Sequence, residues 1–313
     1  MNFLIIVYKG IGDVILTTPL IKAIKKYFPD SKIYFLTKKY SSEILKNNPY
    51  IDKVLLREEI TIKELRSYKI NVSIDYMLSS SSAFFSFMSG AKKRIAFWRS
   101  WGFIAYNLMI KSEYEGYNVI KKFQYLKPLG VNWKEINDIK PEIYPLTSDF
   151  LKAKEILISK GINIEKDKIA TFDITSPRAY RQLSADKFIS IADKIIEKGY
   201  KTIFHPALWE YNYVIESINK YSKYKDSHLV ITNLNLLELS ALISYSNLHI
   251  GTSSAPMHIA VSFNVPTFTI YSPYSDPQAW GPPLKIHSGI QGELEKMTVE
   301  EITHKLFSFL ENI

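Results

Sequence analysis

The sequence contains no cysteine among its 313 residues. Disulfide bonds, a thiolate nucleophile and a cysteine-ligated metal are therefore excluded, and a reducing compartment is consistent with this composition. No apolar run approaches the ~18 residues needed to span a bilayer, and the first one is too short for a signal peptide. These absences predict a cytoplasmic protein, with peripheral contact to a membrane surface left open.

The charge of the chain is biased towards one sign, because 40 Lys and Arg residues outnumber 31 Asp and Glu residues and give a net charge of +9. Such an excess favours an anionic partner, namely nucleic acid, a phosphorylated ligand or an acidic membrane surface. A lysine-rich surface without any such partner explains the excess equally well. The 21 Tyr and 17 Phe residues suit contact with sugars or lipids and equally a large core.

Short apolar runs alternate with helical periodicities along the chain, which predicts βαβ units and parallel sheets. The strands are expected at 3–8, 32–37, 53–56, 70–76, 93–97, 168–174, 200–205, 228–232, 247–250 and 265–271. The helices are expected at 14–28, 41–48, 148–161, 184–198, 208–221, 236–246, from about Pro256, and at 299–310. Pro141 and Pro145 punctuate the chain, so we expect two α/β halves that divide near 141–165, namely 1–150 and 151–298. Open parallel sheets bind ligands at the carboxyl ends of their strands.

The first strand ends in the glycine-containing loop KGIGD. A dinucleotide-binding loop needs a small residue three positions after Gly12, where Ile15 stands, and the Gly-Lys-Ser/Thr of a Walker loop is also missing. The glycines permit positive φ and a close approach of the backbone. Asp13 stands at a helix N-terminus, where the dipole stabilises a carboxylate. It is therefore either a helix cap or a general base.

A second candidate site follows the strand that ends at Ile250. Hydroxyl groups and free N–H groups at a helix N-terminus form an anion site suited to a diphosphate, and a capped helix with a structural histidine is the alternative. The candidate residues for the nucleotide and its phosphates are Thr252, Ser253, Ser254, Ala255, Met257 and His258.

Two segments resemble a known family. GIGDVILTTPLIKAIKKYFP (10–29) is similar to the opening motif of glycosyltransferase family 9, the ADP-heptose:lipopolysaccharide heptosyltransferases. GTSSAPMHIAVSFNVPTFTIYSPYSDPQAWGPP (251–283) is similar to that family's donor motif, in which Asp-Ser/Thr-Gly-Pro-Met-His precedes a Pro-Thr strand and a Trp-Gly-Pro lip. The likeness spans nearly the whole chain, and it is strong at the two ends and weak in the middle.

The resemblance implies an α/β protein of GT-B architecture, with two Rossmann-like domains whose parallel sheets face a central cleft. Residues 1–150 would bind the acceptor, residues 151–298 would bind the nucleotide-sugar donor, and the C-terminal helix 299–313 would pack back on the first domain. The family further implies an inverting transfer without metal or cofactor, with Asp13 as the base. The expected donor is an ADP-linked heptose, and the expected acceptor is a lipopolysaccharide-core glycolipid or oligosaccharide at the cytoplasmic face of the inner membrane.

The segment TSPRAYRQLSADKF (175–188) resembles the family's Pro-Gly-Ala…Lys-Arg-Trp-Pro segment, and Arg181 stands where a Lys is usual. A cation there would neutralise the charge that develops on the leaving diphosphate, whereas a solvated surface charge is the alternative. Ser253 replaces the family's Asp, Ala255 replaces its Gly, and Gln182-Leu183-Ser184 replaces Arg-Trp-Pro. These departures favour a different donor sugar or a weakened activity.

A basic and aromatic patch, AKKRIAFWRSWGF (91–103), suits a phosphorylated glycolipid at a membrane surface or stacking on nucleic acid. A strand followed by a partly buried aromatic loop is the structural alternative. The residues expected on the acceptor side are Lys9, Gly10, Gly12, Lys92, Lys93, Arg94 and Arg99. The histidines outside the donor motif show no metal-ligand spacing, and among them only His205 is a candidate for the cleft, because it ends a strand.

Three hypotheses follow from these features. The first is an inverting glycosyltransferase, and the second is a catalytically silent nucleotide-sugar binding protein of the same fold. The third, a nucleic-acid binder suggested by the charge, is disfavoured because no recognition motif is present.

Overall fold

The computed structural model describes residues 1–176 and 178–313. The chain divides into two units, Met1–Tyr144 and Pro145–Ile313. Each unit contains one six-stranded sheet in which all neighbouring strands run parallel. Within the described residues, no helix is both long enough and apolar enough to cross a membrane.

The first sheet has the strand order β3-β2-β1-β4-β5-β6. Its strands are β1 (Asn2–Ile6), β2 (Lys32–Thr37), β3 (Lys53–Leu56), β4 (Val72–Asp75), β5 (Lys93–Phe97) and β6 (Leu108–Ile110). Its helices are α1 (Ile11–Ile15), α2 (Thr18–Tyr27), α3 (Lys39–Ser42), α4 (Ile62–Ser67), α5 (Ser80–Met88) and α6 (Asn118–Phe123). The central strand β1 is almost wholly apolar and buried, as expected for a parallel strand that is covered on both faces.

The second sheet has the strand order β12-β11-β10-β7-β8-β9. Its strands are β7 (Lys168–Asp173), β8 (Tyr200–Phe204), β9 (His228–Val230), β10 (Leu248–Thr252), β11 (Thr267–Tyr271) and β12 (His287–Gln291). Its helices are α7 (Thr147–Ser159), α8 (Ala185–Glu197), α9 (Tyr211–Tyr221), α10 (Leu236–Ser244), α11 (Ala255–Ser262), α12 (Pro277–Trp280) and α13 (Val299–Leu310).

Both sheets have the strand order of a Rossmann fold, in which the winding direction reverses once. The reversal lies between β1 and β4 in the first sheet and between β7 and β10 in the second. Ligands bind outside the carboxyl ends of the strands at such switch points. We therefore expect ligands to bind at the loops that follow these four strands.

The single helix expected at 14–28 is two helices, α1 and α2, because Pro19 stands in the first turn of α2. Proline has no N–H to donate to a carbonyl of the preceding turn. The hydroxyl of Thr18 donates instead to the carbonyl of Ile15 at 2.8 Å. The break ends α1 after five residues and keeps Asp13 in its first turn.

The terminal helix α13 belongs to the second unit. Ile302, Leu306 and Phe309 are buried in the same apolar cluster as Phe188 of α8 and Phe268 of β11. The expected contact of this helix with the first domain stays a prediction. The helical spacing of its apolar residues would suit packing against any apolar surface. The sequence pattern alone therefore did not specify the surface against which the helix packs.

Candidate functional site

Asp13 lies in the loop region that follows β1, at the switch point of the first sheet. It is the third residue of α1, whose N-cap is Gly10, and no side chain caps this helix. The Asp13 carboxylate is therefore not used as a helix cap. Its Oδ2 atom lies 4.0 Å from the position that a Cβ atom would take at Gly10. The half-buried carboxylate thus borders the exposed backbone of the loop.

The two glycines of this loop do not have the left-handed backbone that the sequence permitted. Gly10 has a φ of −58°, Gly12 lies within α1, and the positive φ values recorded for glycines occur elsewhere. A φ of −58° is the ordinary approach to a helix, so the turn itself does not require glycine at position 10. Gly10 provides space, because Asp13 Oδ2 is the one described atom beyond its chain neighbours within 4 Å of the missing Cβ.

Two lysines lie over the ring of Tyr76, the residue that follows β4. The Nζ atom of Lys122 is 4.2 Å from the ring centroid and that of Lys9 is 5.3 Å away. Burial lowers the pKa of Lys122 to about 7, and the Asp13 carboxylate opposes this shift. Burial, assisted by Asp13, also raises the pKa of Tyr76 and Tyr40. Asp13 therefore shares its surroundings with a buried ammonium and two neutral phenols.

Arg57 follows β3 and provides a further cation at the same edge of the sheet. Its guanidinium donates to the hydroxyl of Ser81 at 3.3 Å and lies 5.3 Å from the ring centroid of Tyr8. The Tyr8 hydroxyl donates to the same serine at 3.2 Å. The sequence interpretation missed Arg57, Lys122 and Tyr76. Arg57 directly follows a predicted strand and Tyr76 ends one, which was a usable signal.

The basic patch 91–103 divides between opposite edges of the first sheet. Lys93 begins β5 and pairs with Val72, the first residue of β4, so Lys92, Lys93 and Arg94 lie at the amino edge. That edge is roughly 13 Å along the strand from the carboxyl edge, where the loop of Asp13 begins. The Arg94 guanidinium donates to the carbonyls of Ala105 and Ala91. Of the four cations of the patch, Arg99 alone follows the carboxyl end of β5.

An exposed apolar surface, the aromatic patch, lies beside Arg94. The Arg94 guanidinium is 5.5 Å from the ring centroid of Phe87 in α5 and bonds the carbonyl of Ala105. Phe103 and Ile104, which precede that carbonyl, are 71% and 68% exposed. We define the aromatic patch as Phe84, Phe87, Phe103 and Ile104, all of which are exposed. Patches of this kind mark interaction sites for proteins or membranes.

The loop between β10 and α11 lies at the switch point of the second sheet. Ser254 is the N-cap of α11, no side chain caps the helix, and Pro256 stands in its first turn. The hydroxyls of Thr252 and Ser253 are buried and have no hydrogen-bond partner among the described residues. Uncapped amides and unused hydroxyls at a helix N-terminus suit an anionic group. The structure thus brings Thr252, Ser253, Ser254 and Ala255 together.

Met257 and His258 lie in α11 and are buried rather than at an open mouth, with exposures of 0% and 2%. The His258 ring centroid is 6.1 Å from that of Trp280. Trp280 belongs to the tryptophan-glycine-proline segment that follows β11. His258 therefore connects the helix to this segment.

Arg181 lies in a short 3₁₀ turn, Ala179–Arg181, in the segment between β7 and α8. Its guanidinium is 5.6 Å from the ring centroid of Tyr180, and its buried Nε atom has no hydrogen-bond partner within the described chain. Tyr180 in turn packs edge-on against Tyr274, with centroids 5.7 Å apart. The cation is thus held beside an aromatic pair on the carboxyl side of the sheet.

Asp173, His205 and His249 lie close together near the ends of β7, β8 and β10. The sequence interpretation gave these titratable side chains little or no weight. The rings of His205 and His249 stack with centroids 5.8 Å apart. A Cβ atom at Gly251 would lie 3.2 Å from His249 Nε2 and 3.1 Å from the Cβ atom of Asp173. Burial lowers the pKa of both histidines, to about 4 for His205. His228, in contrast, is structural and is hydrogen-bonded to Asp193 at 2.8 Å.

The sequence model of the family described as "Glycosyltransferase family 9 (heptosyltransferase)" matches residues 60–306. This chain belongs to glycosyltransferase family 9. The match includes Arg181 and the loop 251–258, whereas the loop of Asp13 precedes it. The family membership shows that the protein is a glycosyltransferase and confirms the resemblance drawn from the two sequence motifs.

Relatives of this family 9 chain share both sequence and fold with it. The lipopolysaccharide heptosyltransferase 3 of Escherichia coli is 25% identical over 284 residues, which cover 83% of this chain and 80% of the relative. A solved family 9 glycosyltransferase of Veillonella parvula superposes with a TM-score of 0.84 at 19% identity, covering 100% and 97% of the two chains. The E. coli ADP-heptose lps heptosyltransferase II superposes with a TM-score of 0.79 at 15% identity, covering 100% and 99%. These likenesses confirm the two-domain GT-B class.

Proposed function

We propose that this chain transfers a heptose from an ADP-linked donor to a hydroxyl group of a lipopolysaccharide-type core acceptor. The observation that carries the proposal is the position of Asp13, an uncommitted carboxylate that borders the open backbone of Gly10 at a switch point. The relatives named as lipopolysaccharide heptosyltransferases support the sugar and the acceptor.

The first unit would bind the acceptor. Asp13 would accept the proton of the attacking hydroxyl, because a carboxylate that does not cap a helix can act as a general base. Arg57 and Lys9 provide positive charge at the same edge of the sheet, which suits the acidic groups of a lipopolysaccharide core. Arg99 follows β5 at this edge and adds to the charge.

The second unit would bind the donor. The N-terminus of α11 and the hydroxyls of Thr252 and Ser253 would bind the diphosphate. Arg181 would neutralise the charge on the leaving nucleotide diphosphate, which would allow transfer without a metal ion or other cofactor. Attack from the face opposite the leaving group would invert the anomeric configuration of the sugar.

The acceptor would be glycolipid presented at a membrane surface. The aromatic patch and Arg94 beside it combine apolar and basic groups, a combination that favours anionic lipid surfaces. We therefore propose transient contact of this patch with the cytoplasmic face of the inner membrane.

A transfer assay tests the proposed function. Wild-type protein is incubated with a lipopolysaccharide core that lacks heptose and with ADP-heptose, ADP-glucose, UDP-glucose or GDP-mannose in separate reactions. We expect transfer from ADP-heptose with inversion at the anomeric carbon, seen by mass spectrometry and NMR of the product. Transfer from one of the other donors alone would show that the proposed donor sugar is wrong. Retention of the anomeric configuration would contradict the proposed inverting mechanism.

A second candidate is a nucleotide-sugar binding protein without transferase activity on these acceptors. Ser253 and Ala255 favour it, because they remove the acid and the glycine that are usual in the donor loop. Tight binding of ADP-heptose without turnover on the lipopolysaccharide-core acceptors would support this second candidate.

A further inference from the structure

The loop between β10 and α11 has Ser253 where the family usually has an aspartate. A carboxylate nevertheless reaches this loop from the neighbouring strand. Asp173 is the last residue of β7 and pairs in register with Gly251 of β10. Its Oδ2 atom accepts a hydrogen bond from the hydroxyl of Ser254, the N-cap of α11. A side chain on one side of the switch point therefore holds the helix N-terminus on the other side.

The contact leaves no space for a larger residue at position 251. A Cβ atom there would lie 3.1 Å from both the Cβ and the carbonyl oxygen of Asp173, closer than ordinary van der Waals contact. Asp173 is only 9% exposed. The carboxyl group is thus packed directly beneath the loop that would receive the donor diphosphate.

Burial raises the pKa of Asp173 to about 7, and the Glu210 carboxylate adds to this shift. Hydrogen bonds from Ser254 and Thr175 act in the opposite direction. The imidazoles of His249 in β10 and of His205 directly after β8 are neutral near pH 7, because burial lowers the pKa of each. Asp173 can therefore gain or lose its proton near neutral pH.

We propose that Asp173 is the acidic positioning residue of the donor site and takes up one proton from solvent when a nucleotide diphosphate binds. The inference rests on the proposed function, because it requires the diphosphate to bind at the N-terminus of α11. A buried carboxylate next to an incoming diphosphate is repelled by it, and protonation removes the repulsion. The protonated acid then donates a hydrogen bond, which leaves the hydroxyl of Ser254 available to the phosphate.

Calorimetric titration with ADP-heptose from pH 6.0 to 8.5, in two buffers of different ionisation enthalpy, tests the inference. The phosphates of a nucleotide sugar lack the second phosphate ionisation near pH 6, so the ligand itself does not titrate in this range. We expect uptake of up to one proton per bound ligand. Linkage then requires the dissociation constant to rise by up to about tenfold per pH unit above pH 7.

Two variants assign the proton to Asp173. Asp173→Asn retains an oxygen that accepts from Ser254 but does not titrate, so we expect no proton uptake and a dissociation constant independent of pH. The control Asp193→Asn changes another buried aspartate of the same unit, which is hydrogen-bonded to Ser222 at 2.7 Å, and should keep the wild-type proton uptake. His258 also lies on α11. Persistent proton uptake in Asp173→Asn would show that a group other than Asp173 takes up the proton, and it would overturn the inference.

The outcomes separate the inference from the function on which it rests. Binding of ADP-heptose by the wild type without proton uptake would overturn the role of Asp173 and leave the proposed function intact. This measurement does not depend on any variant folding correctly. A lack of ADP-heptose binding at every pH would instead contradict the proposed donor and the inference together.

Discussion

The ammonium group of Lys122 lies 4.2 Å from the centroid of the Tyr76 ring, in a side chain that is 0% exposed. Its Nζ atom has no hydrogen-bond partner among the described residues. A buried ammonium of this kind costs free energy unless a negative charge compensates it. The compensation here is electrostatic, from the ring and from the Asp13 carboxylate.

We predict that Lys122→Met stabilises the protein at pH 6 by about 2–4 kcal/mol and has little effect at pH 10. The pKa of Lys122 falls to about 7 in the folded chain, so its destabilising effect grows as pH falls from 10 through 7 and is complete below 7. Urea unfolding at both pH values measures this difference. Lys63→Met, which changes an exposed lysine of α4, is the control, and an equal effect at both pH values would contradict the prediction.

Arg57 is predicted to act on acceptor binding. Arg57→Met should raise the KM for the lipopolysaccharide-core acceptor about tenfold or more and change kcat much less, because loss of a charge-assisted contact costs roughly 1.5–3 kcal/mol. Steady-state kinetics at low and high salt measure the effect. The KM for the donor should not change, and a selective rise in that constant would contradict the assignment.

Arg181 is predicted to act on the leaving group. Arg181→Met should lower kcat by about 10²–10³, the effect of removing one group that stabilises developing charge. Arg178→Met, which changes a neighbouring exposed arginine, is the matched control. Wild-type transfer in EDTA should proceed undiminished, and a requirement for added Mg²⁺ would show that Arg181 alone does not supply the charge.

The aromatic patch is predicted to bind anionic membranes. Phe103→Glu should weaken co-sedimentation with vesicles of phosphatidylcholine and phosphatidylglycerol at least tenfold, because burial of a phenylalanine is worth about 2 kcal/mol. Trp209→Glu, at an even more exposed aromatic of the second unit, is the control. Equal binding of both variants and the wild type would show that the patch does not contact lipid.

The sequence predicted most strands of both sheets because their apolar runs are continuous. It missed β6 (LMI) and β12 (HSGIQ), which are short edge strands with partly exposed residues. The helix α5 was also missed, because serines occupy most of its first turn. There a capping box between Ser79 and Ser82 starts the helix.

The candidate sites were predictable only where strand ends are visible in the sequence. The positions of Asp13 and of the loop 251–258 could be predicted for this reason. Asp173 is the penultimate residue of a predicted strand (168–174) and carried the same signal. Lys122 could not be found, because a lysine in NVIKKF is typical of a solvated helix face and its burial depends on tertiary packing.

The most direct test of Asp13 as the general base compares Asp13→Asn with Asp30→Asn, which changes an exposed aspartate of the same unit. Single-turnover transfer from ADP-heptose is measured beside the dissociation constant of the donor. We predict that Asp13→Asn slows transfer by about 10²–10⁴, the usual contribution of a general base, with donor binding unchanged and Asp30→Asn fully active. Wild-type transfer by Asp13→Asn would contradict the assignment of Asp13 as the base.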